Sequence, residues 1–261
     1  MKRLISLLLI VVALLTFTVS CMPTADGDKA AIENANKIVI GVTVYPPMDY
    51  LDDNGNWTGF DAELAMMFAE SLGVNAQLVI IDWDNKAVEL QTNQIDLIWN
   101  GMTATEELDQ KMDFSVSYAK NAQVAVVRKG STLTADGVKN ARIAVEGGSA
   151  GATVAEETIG ATNIVKVGTM TDALQEVSAG TSDVAIVDIT MAQNIVGKGV
   201  YENLTILEGA SYGDEIFAVG LRTGSDLKPL LDAFLKEKYA DGTLTELAEK
   251  YNVGLNIDAL K

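Results

Sequence analysis

The hydrophobic pattern of this chain changes period again and again. Short β-branched runs alternate with stretches whose apolar residues recur every three to four positions, and they do so in two successive sets. In the first set, residues 37–44 read as a strand. Residues 60–72 read as a helix with Leu64, Met67, Phe68 and Leu72 on one face, closed by Gly73. A strand at 77–81, a helix at 85–92 and a strand at 96–99 follow. The second set has strands at 142–145, 164–167 and 184–187, with helices at 150–158, 172–178 and 190–196. Such βαβ rhythm requires sheets covered by helices and leaves no place for a helical bundle or an all-β sandwich. Two further apolar runs, 123–128 and 215–221, lie between and after the sets. Two final helices are expected at 227–239 and 244–251, separated by Asp241 and Gly242.

The N-terminal end reads as an export signal over residues 1–20. Lys2 and Arg3 precede an almost wholly apolar run, and Cys21 follows Thr18, Val19 and Ser20 in the manner of a bacterial lipobox. Cys21 is then the expected lipid attachment site, with an uncleaved anchor or a spare thiol as the alternatives. Residues 21–36 are small, polar and charged and read as a solvated tether. With one cysteine in the chain no intramolecular disulfide can form, so core burial has to hold the fold.

A net charge of −17 disfavours nucleic acid and anionic headgroups as partners. The absence of histidine removes Ser-His-Asp and Cys-His catalysis and histidine-ligated zinc. The run Asp52, Asp53, Asn54, Gly55, Asn56 has the spacing of a calcium loop, but Trp57 stands where that loop needs glycine. A β-hairpin turn at Asn54-Gly55 fits better, and no metal or cofactor is expected.

Residues 95–118, IDLIWNGMTATEELDQKMDFSVSY, resemble the ligand-binding segment of bacterial extracellular solute-binding proteins of family 3, the polar amino-acid-binding proteins of ABC importers. The resemblance extends through Tyr45-Pro46-Pro47-Met48, Gly59-Phe60-Asp61, Asp82-Trp83-Asp84, Gly148-Ser149, Ser182-Asp183, Val187-Asp188 and Asp241-Gly242-Thr243. It implies an α/β, two-lobed periplasmic-binding-protein-like fold of type II. Residues 37–124 and 218–261 would form one lobe and 125–217 the other, joined by two hinge strands with ligand in the cleft between them.

The resemblance also assigns roles. Gly101 and Thr103 would cradle the α-ammonium and carboxylate of an amino acid, the alternative being a turn after a buried strand. Asp188 would receive the ammonium, or else merely cap the following helix. Ser149 and the Ala150 amide would form half of a carboxylate seat. Tyr45 and Trp83 would wall the ligand side chain or pack within the protein. Glu146 occupies a position that selects the side chain, and a carboxylate there would favour a cationic ligand; an exposed glutamate without a role explains it equally well.

The informative departure is Leu108, where the family carries an arginine that forks onto the α-carboxylate; Ser117, where the family has proline, is a milder one. A neutral side chain cannot replace that bidentate contact, so the ligand is expected either to lack a free α-carboxylate or to bind weakly. The expected function is therefore a lipid-anchored, monomeric, extracytoplasmic or periplasmic substrate-binding subunit. It would deliver an amino-acid-like or amine solute to the transmembrane permease of an ABC importer. A cyclohexadienyl or arogenate dehydratase-like enzyme on the same fold, or a sensory protein with altered specificity, are the alternatives.

Overall fold

The structure is a computed structural model that describes residues 27–261. The signal segment, Cys21 and the tether as far as residue 26 lie outside the described residues. Among the described residues no helix is long and apolar enough to cross a membrane.

The chain begins with helix α1 (Asp28–Ala35), strand β1 (Lys37–Val42), the short strands β2 (Tyr50–Leu51) and β3 (Trp57–Thr58), and helix α2 (Phe60–Ser71). Strand β4 (Asn75–Ile80), helix α3 (Lys86–Gln91), strand β5 (Leu97–Ile98), helix α4 (Glu106–Asp109) and strand β6 (Asp113–Phe114) follow. The long strand β7 (Ala119–Arg128) leads to β8 (Ile143–Glu146), α5 (Ala150–Thr153), β9 (Ile164–Val167), α6 (Met170–Ala179), β10 (Val184–Asp188) and α7 (Ile189–Ile195). Strand β11 (Leu204–Phe217) then returns the chain to β12 (Gly220–Leu221), α8 (Lys228–Ala240), α9 (Thr243–Tyr251) and α10 (Ile257–Leu260).

Two five-stranded sheets result, ordered β4-β1-β5-β12-β6 and β11-β7-β10-β8-β9. Each has a parallel βαβ centre, with β1 paired to β4 and β5 in one and β8 to β9 and β10 in the other. The βαβ alternation read from the sequence is thus an α/β molecule of two lobes. Strands β7 and β11 pair antiparallel from Ala119 opposite Phe217 to Arg128 opposite Leu204, and they carry the chain between the lobes. Ile38, Ile40, Phe60, Phe68, Trp99 and Tyr118 are fully buried in the first lobe. Ile143, Val145, Val184 and Ile186 fill the second.

The tether expectation needs correction at its C-terminal half. Residues 28–35 are helical, Ile32 is buried, and Arg222 pairs with both Asp28 and Asp96 at 2.9 and 3.1 Å. A single apolar residue with a half-buried ionic anchor suffices to dock a segment whose composition otherwise reads as solvated.

The Asn54-Gly55 turn is a hairpin, as its residues imply. Strands β2 and β3 pair across it, and the Asp52 carboxylate accepts from the Asn54 and Asn56 amides at 2.9 and 2.8 Å. Among the described residues no group of histidine, cysteine, aspartate or glutamate is arranged to hold a metal ion.

Candidate functional site

The site lies where loops from the carboxyl ends of the parallel strands of the two sheets face each other, as open α/β sheets dictate. After β5, the chain turns at Asn100 and Gly101. The Asn100 side chain accepts from the Thr43 amide at 3.0 Å and donates to Asp49 at 2.7 Å. The Gly101 amide donates to the Asp61 carboxylate at 2.6 Å, and that carboxylate also accepts from the Tyr118 hydroxyl at 2.8 Å. Gly101 has φ +55°, and a side-chain carbon there would sit 2.6 Å from the Tyr45 ring, so glycine is required. Burial lifts the Asp61 carboxyl to about 7 despite these donors.

A cavity of about 230 Å³ occupies the cleft. Its lining includes Trp83, Gly101, Thr103, Leu108, Glu146, Ser149, Ala150 and Asp188, eight of the nine residues singled out by the sequence. Tyr45 is the ninth. It is fully buried beneath Gly101 and does not line the cavity. Burial, and then the Asp188 charge, push its phenol well above the ordinary value.

Two sets of polar side chains reach the cavity, one through Thr103 and Asp188 and the other through Glu146. The first runs between the lobes. The Thr103 hydroxyl donates to Glu215 at 3.1 Å. Asn121 donates to both Glu215 and Asp188 at 2.8 Å, and Gln123 donates to the same two carboxylates. Asn121 and Gln123 lie on β7 and Glu215 on β11, so the crossover strands themselves hold Asp188 in place. Burial, followed by repulsion from Glu215, raises the Asp188 carboxyl to about 7. A concentration of acceptors in a buried place is chemistry suited to an ammonium or guanidinium.

The second group surrounds Glu146, which is 1% exposed, and its Oε1 has no hydrogen-bond partner among the described residues. Burial, then the Asp188 charge, raises its carboxyl to about 8. Glu146 is therefore not an exposed glutamate.

Ser149 caps α5 by accepting from the Ala152 amide at 3.1 Å, while its hydroxyl donates to the Glu146 carbonyl at 2.8 Å. Leu108 is half-buried on α4 and packs against the cluster of Ile81, Trp83, Leu90, Ile98 and Met102. It thus extends an apolar core into the cleft wall.

None of Arg128, Arg142 and Arg222 lines the cavity. Arg128 is spent on the Val177 and Ser182 carbonyls, and Arg222 on the base of α1. The cations that do line it are Lys86, Lys111 and Lys166, which the sequence reading missed because it looked for a guanidinium. Lys111 is paired with Glu107 at 2.6 Å and Lys166 with Glu156 at 2.9 Å.

The chain matches the model of the bacterial extracellular solute-binding proteins, family 3, over residues 38–254. It is 28% identical over 232 residues to the L-cystine-binding protein TcyJ of Escherichia coli, covering 87% of this chain and 86% of that one. It is 27% identical over 263 residues to the arginine-binding extracellular protein ArtP of Bacillus subtilis, covering 95% and 98%. The crystal structure of a mutant of ArgBP from T. maritima superposes with a TM-score of 0.80 at 30% identity, covering 86% of this chain and 98% of that one. With a match across both sheets and the cleft between them, this chain belongs to the bacterial extracellular solute-binding proteins of family 3.

Proposed function

We propose that this protein captures a small cationic amino acid or amine in the interlobe cleft and hands it to the permease of an ABC importer, anchored outside the membrane through Cys21. It acts as a monomer and without catalysing a reaction. The observation that carries this reading is the pair of buried carboxyls on one cavity, Asp188 and Glu146, with Glu146 Oε1 lacking a donor. A buried acceptor without a partner is costly, and a ligand ammonium or guanidinium removes that cost. Thr103 and Asp188 would hold the α-ammonium, with Gly101 close by. Glu146 would select a second positive group, and Trp83 would pack on the ligand's stem. The relatives named for arginine support the same ligand class.

Isothermal titration with L-arginine, L-lysine, agmatine and L-glutamate tests the proposal. The cationic compounds should bind in the micromolar range or tighter and glutamate should not. Binding of glutamate as tightly as arginine, or of none of the four, would sink it. Incubation with prephenate-like acids should yield no aromatic product.

A further inference from the structure

Among the described residues Lys86 is the buried cation, 5% exposed, at the start of α3 and on the wall of the same cavity as Leu108, Thr103 and Ser149. Its ammonium donates to the Trp83 carbonyl at 3.0 Å and, across the cleft, to the Gly148 carbonyl at 2.9 Å. The nitrogen also stands 4.8 Å from the centre of the Trp83 ring. None of these partners carries a charge, and no ion pair to Lys86 forms among the described residues. An ammonium has three N–H donors, so two carbonyls leave one for a third acceptor. Carbonyl dipoles solvate a buried cation only in part, and an anion brought beside it recovers what desolvation took.

On the same cavity the imbalance also has the opposite sign, because Glu146 and Asp188 are buried acidic groups, one with an unpartnered oxygen, and neither forms an ion pair with Lys86. A molecule with a carboxylate at one end and a positive group at the other satisfies both walls at once. The arginine missing at position 108 is then replaced in charge, though not in forked geometry, from a different element.

We propose that Lys86 is the anion-binding residue of the cleft: its ammonium takes the ligand carboxylate that Leu108 cannot hold, and so selects amino acids over the corresponding decarboxylated amines. This rests on the reading of the cleft as a site for cationic solutes, and it replaces the expectation of a ligand without an α-carboxylate. Burial, opposed by Glu146 and Asp84 and reinforced by Lys111, holds the ammonium down to about 8, which is consistent with a cation awaiting a counter-charge.

The test pairs each amino acid with its amine: L-arginine with agmatine, and L-lysine with cadaverine, titrated calorimetrically into the wild type, Lys86→Met and Lys86→Arg. The wild type should prefer the amino acid. Lys86→Met should lose about tenfold to hundredfold in amino-acid affinity, the scale of a charge-assisted hydrogen bond. Its amine affinity should hold or improve, since a like charge has been removed. Lys86→Arg should keep the preference for the amino acid, and Leu108→Arg placed on Lys86→Met should restore it.

Equal losses for both members of a pair would make Lys86 a tie between the lobes and overturn the proposal. So would amine affinity in the wild type matching or exceeding that for the amino acid, which would leave the solute-binding reading standing. If neither member of either pair binds the wild type, both readings fall.

Discussion

At the scale of single residues, this cleft stands out for carboxyls whose titration is raised to the neutral range. Glu146 lies at about 8 and Asp188 and Asp61 at about 7, in each case chiefly because burial disfavours the charged form. Asp188 and Asp172 push Glu146 further up, and Lys86 pulls it down. In the unfolded chain all three titrate near 4, so between about pH 4 and 8 the folded protein binds more protons than the unfolded one. The stability they contribute is fully present below the unfolded values and is lost as pH rises through 7 to 8. Lys86, shifted downwards to about 8, works in the opposite direction only above that pH. The ligand-free protein should therefore melt several degrees lower at pH 8 than at pH 5.5, and Glu146→Gln should flatten the slope. Thermal melts across that range check this, and a melting temperature that rises with pH would refute it. The places of Asp188, Thr103 and Glu146 on the cavity wall were legible from the motif. Lys86 was not, because a lysine opening a helix reads as a solvated side chain until a second lobe is folded over it.

At the scale of elements, legibility follows how local the stabilising contacts are. Strand β9 has the bounds its β-branched run implies, and α2 and α9 follow from their apolar spacing. Strand β11 was seen only at its end, because Gly209 and Gly213, at φ +75° and +67°, and the register shifts after Ile206 and Tyr212 break its alternation. Antiparallel pairing with β7 holds it nonetheless. Helix α1 was missed for a similar reason, since its anchor is supplied from 194 residues away. The Arg222 guanidinium bonds Asp28 at 2.9 Å, Asp96 at 3.1 Å and the Ile95 carbonyl at 2.7 Å, tying α1, β5 and the loop after β12 together. Arg222→Met removes the cation shared by two half-buried carboxylates, leaving Asp28 with the Ser225 hydroxyl and Asp96 with the Val39 amide as donors, and the Ile95 carbonyl without its guanidinium partner. It should cost about 2–4 kcal/mol in urea unfolding. Hydrogen exchange should show the amides of residues 28–35 losing protection first. A loss below about 0.5 kcal/mol would mean that Ile32 alone docks the helix.

At the scale of the whole molecule, two lobes joined by β7 and β11 can bind by closing on a solute, and the contacts across the cleft state how tightly they meet. Gly148 is the point of closest approach that a substitution can probe. Its φ is +65°, and a side-chain carbon there would stand 2.6 Å from Asp84 Oδ1 and 2.8 Å from the Asp84 Cα on the opposite wall. A carboxylate can swing aside, whereas a backbone carbon moves only if the lobe moves. Gly148→Ala should therefore hold the lobes apart, costing only the backbone strain of a left-handed alanine, about 1–2 kcal/mol, when they are open. With L-arginine as the probe, wild-type protein should contract in small-angle X-ray scattering and the variant should not, while its affinity falls at least tenfold. Contraction and affinity equal to wild type would show that the lobes meet elsewhere.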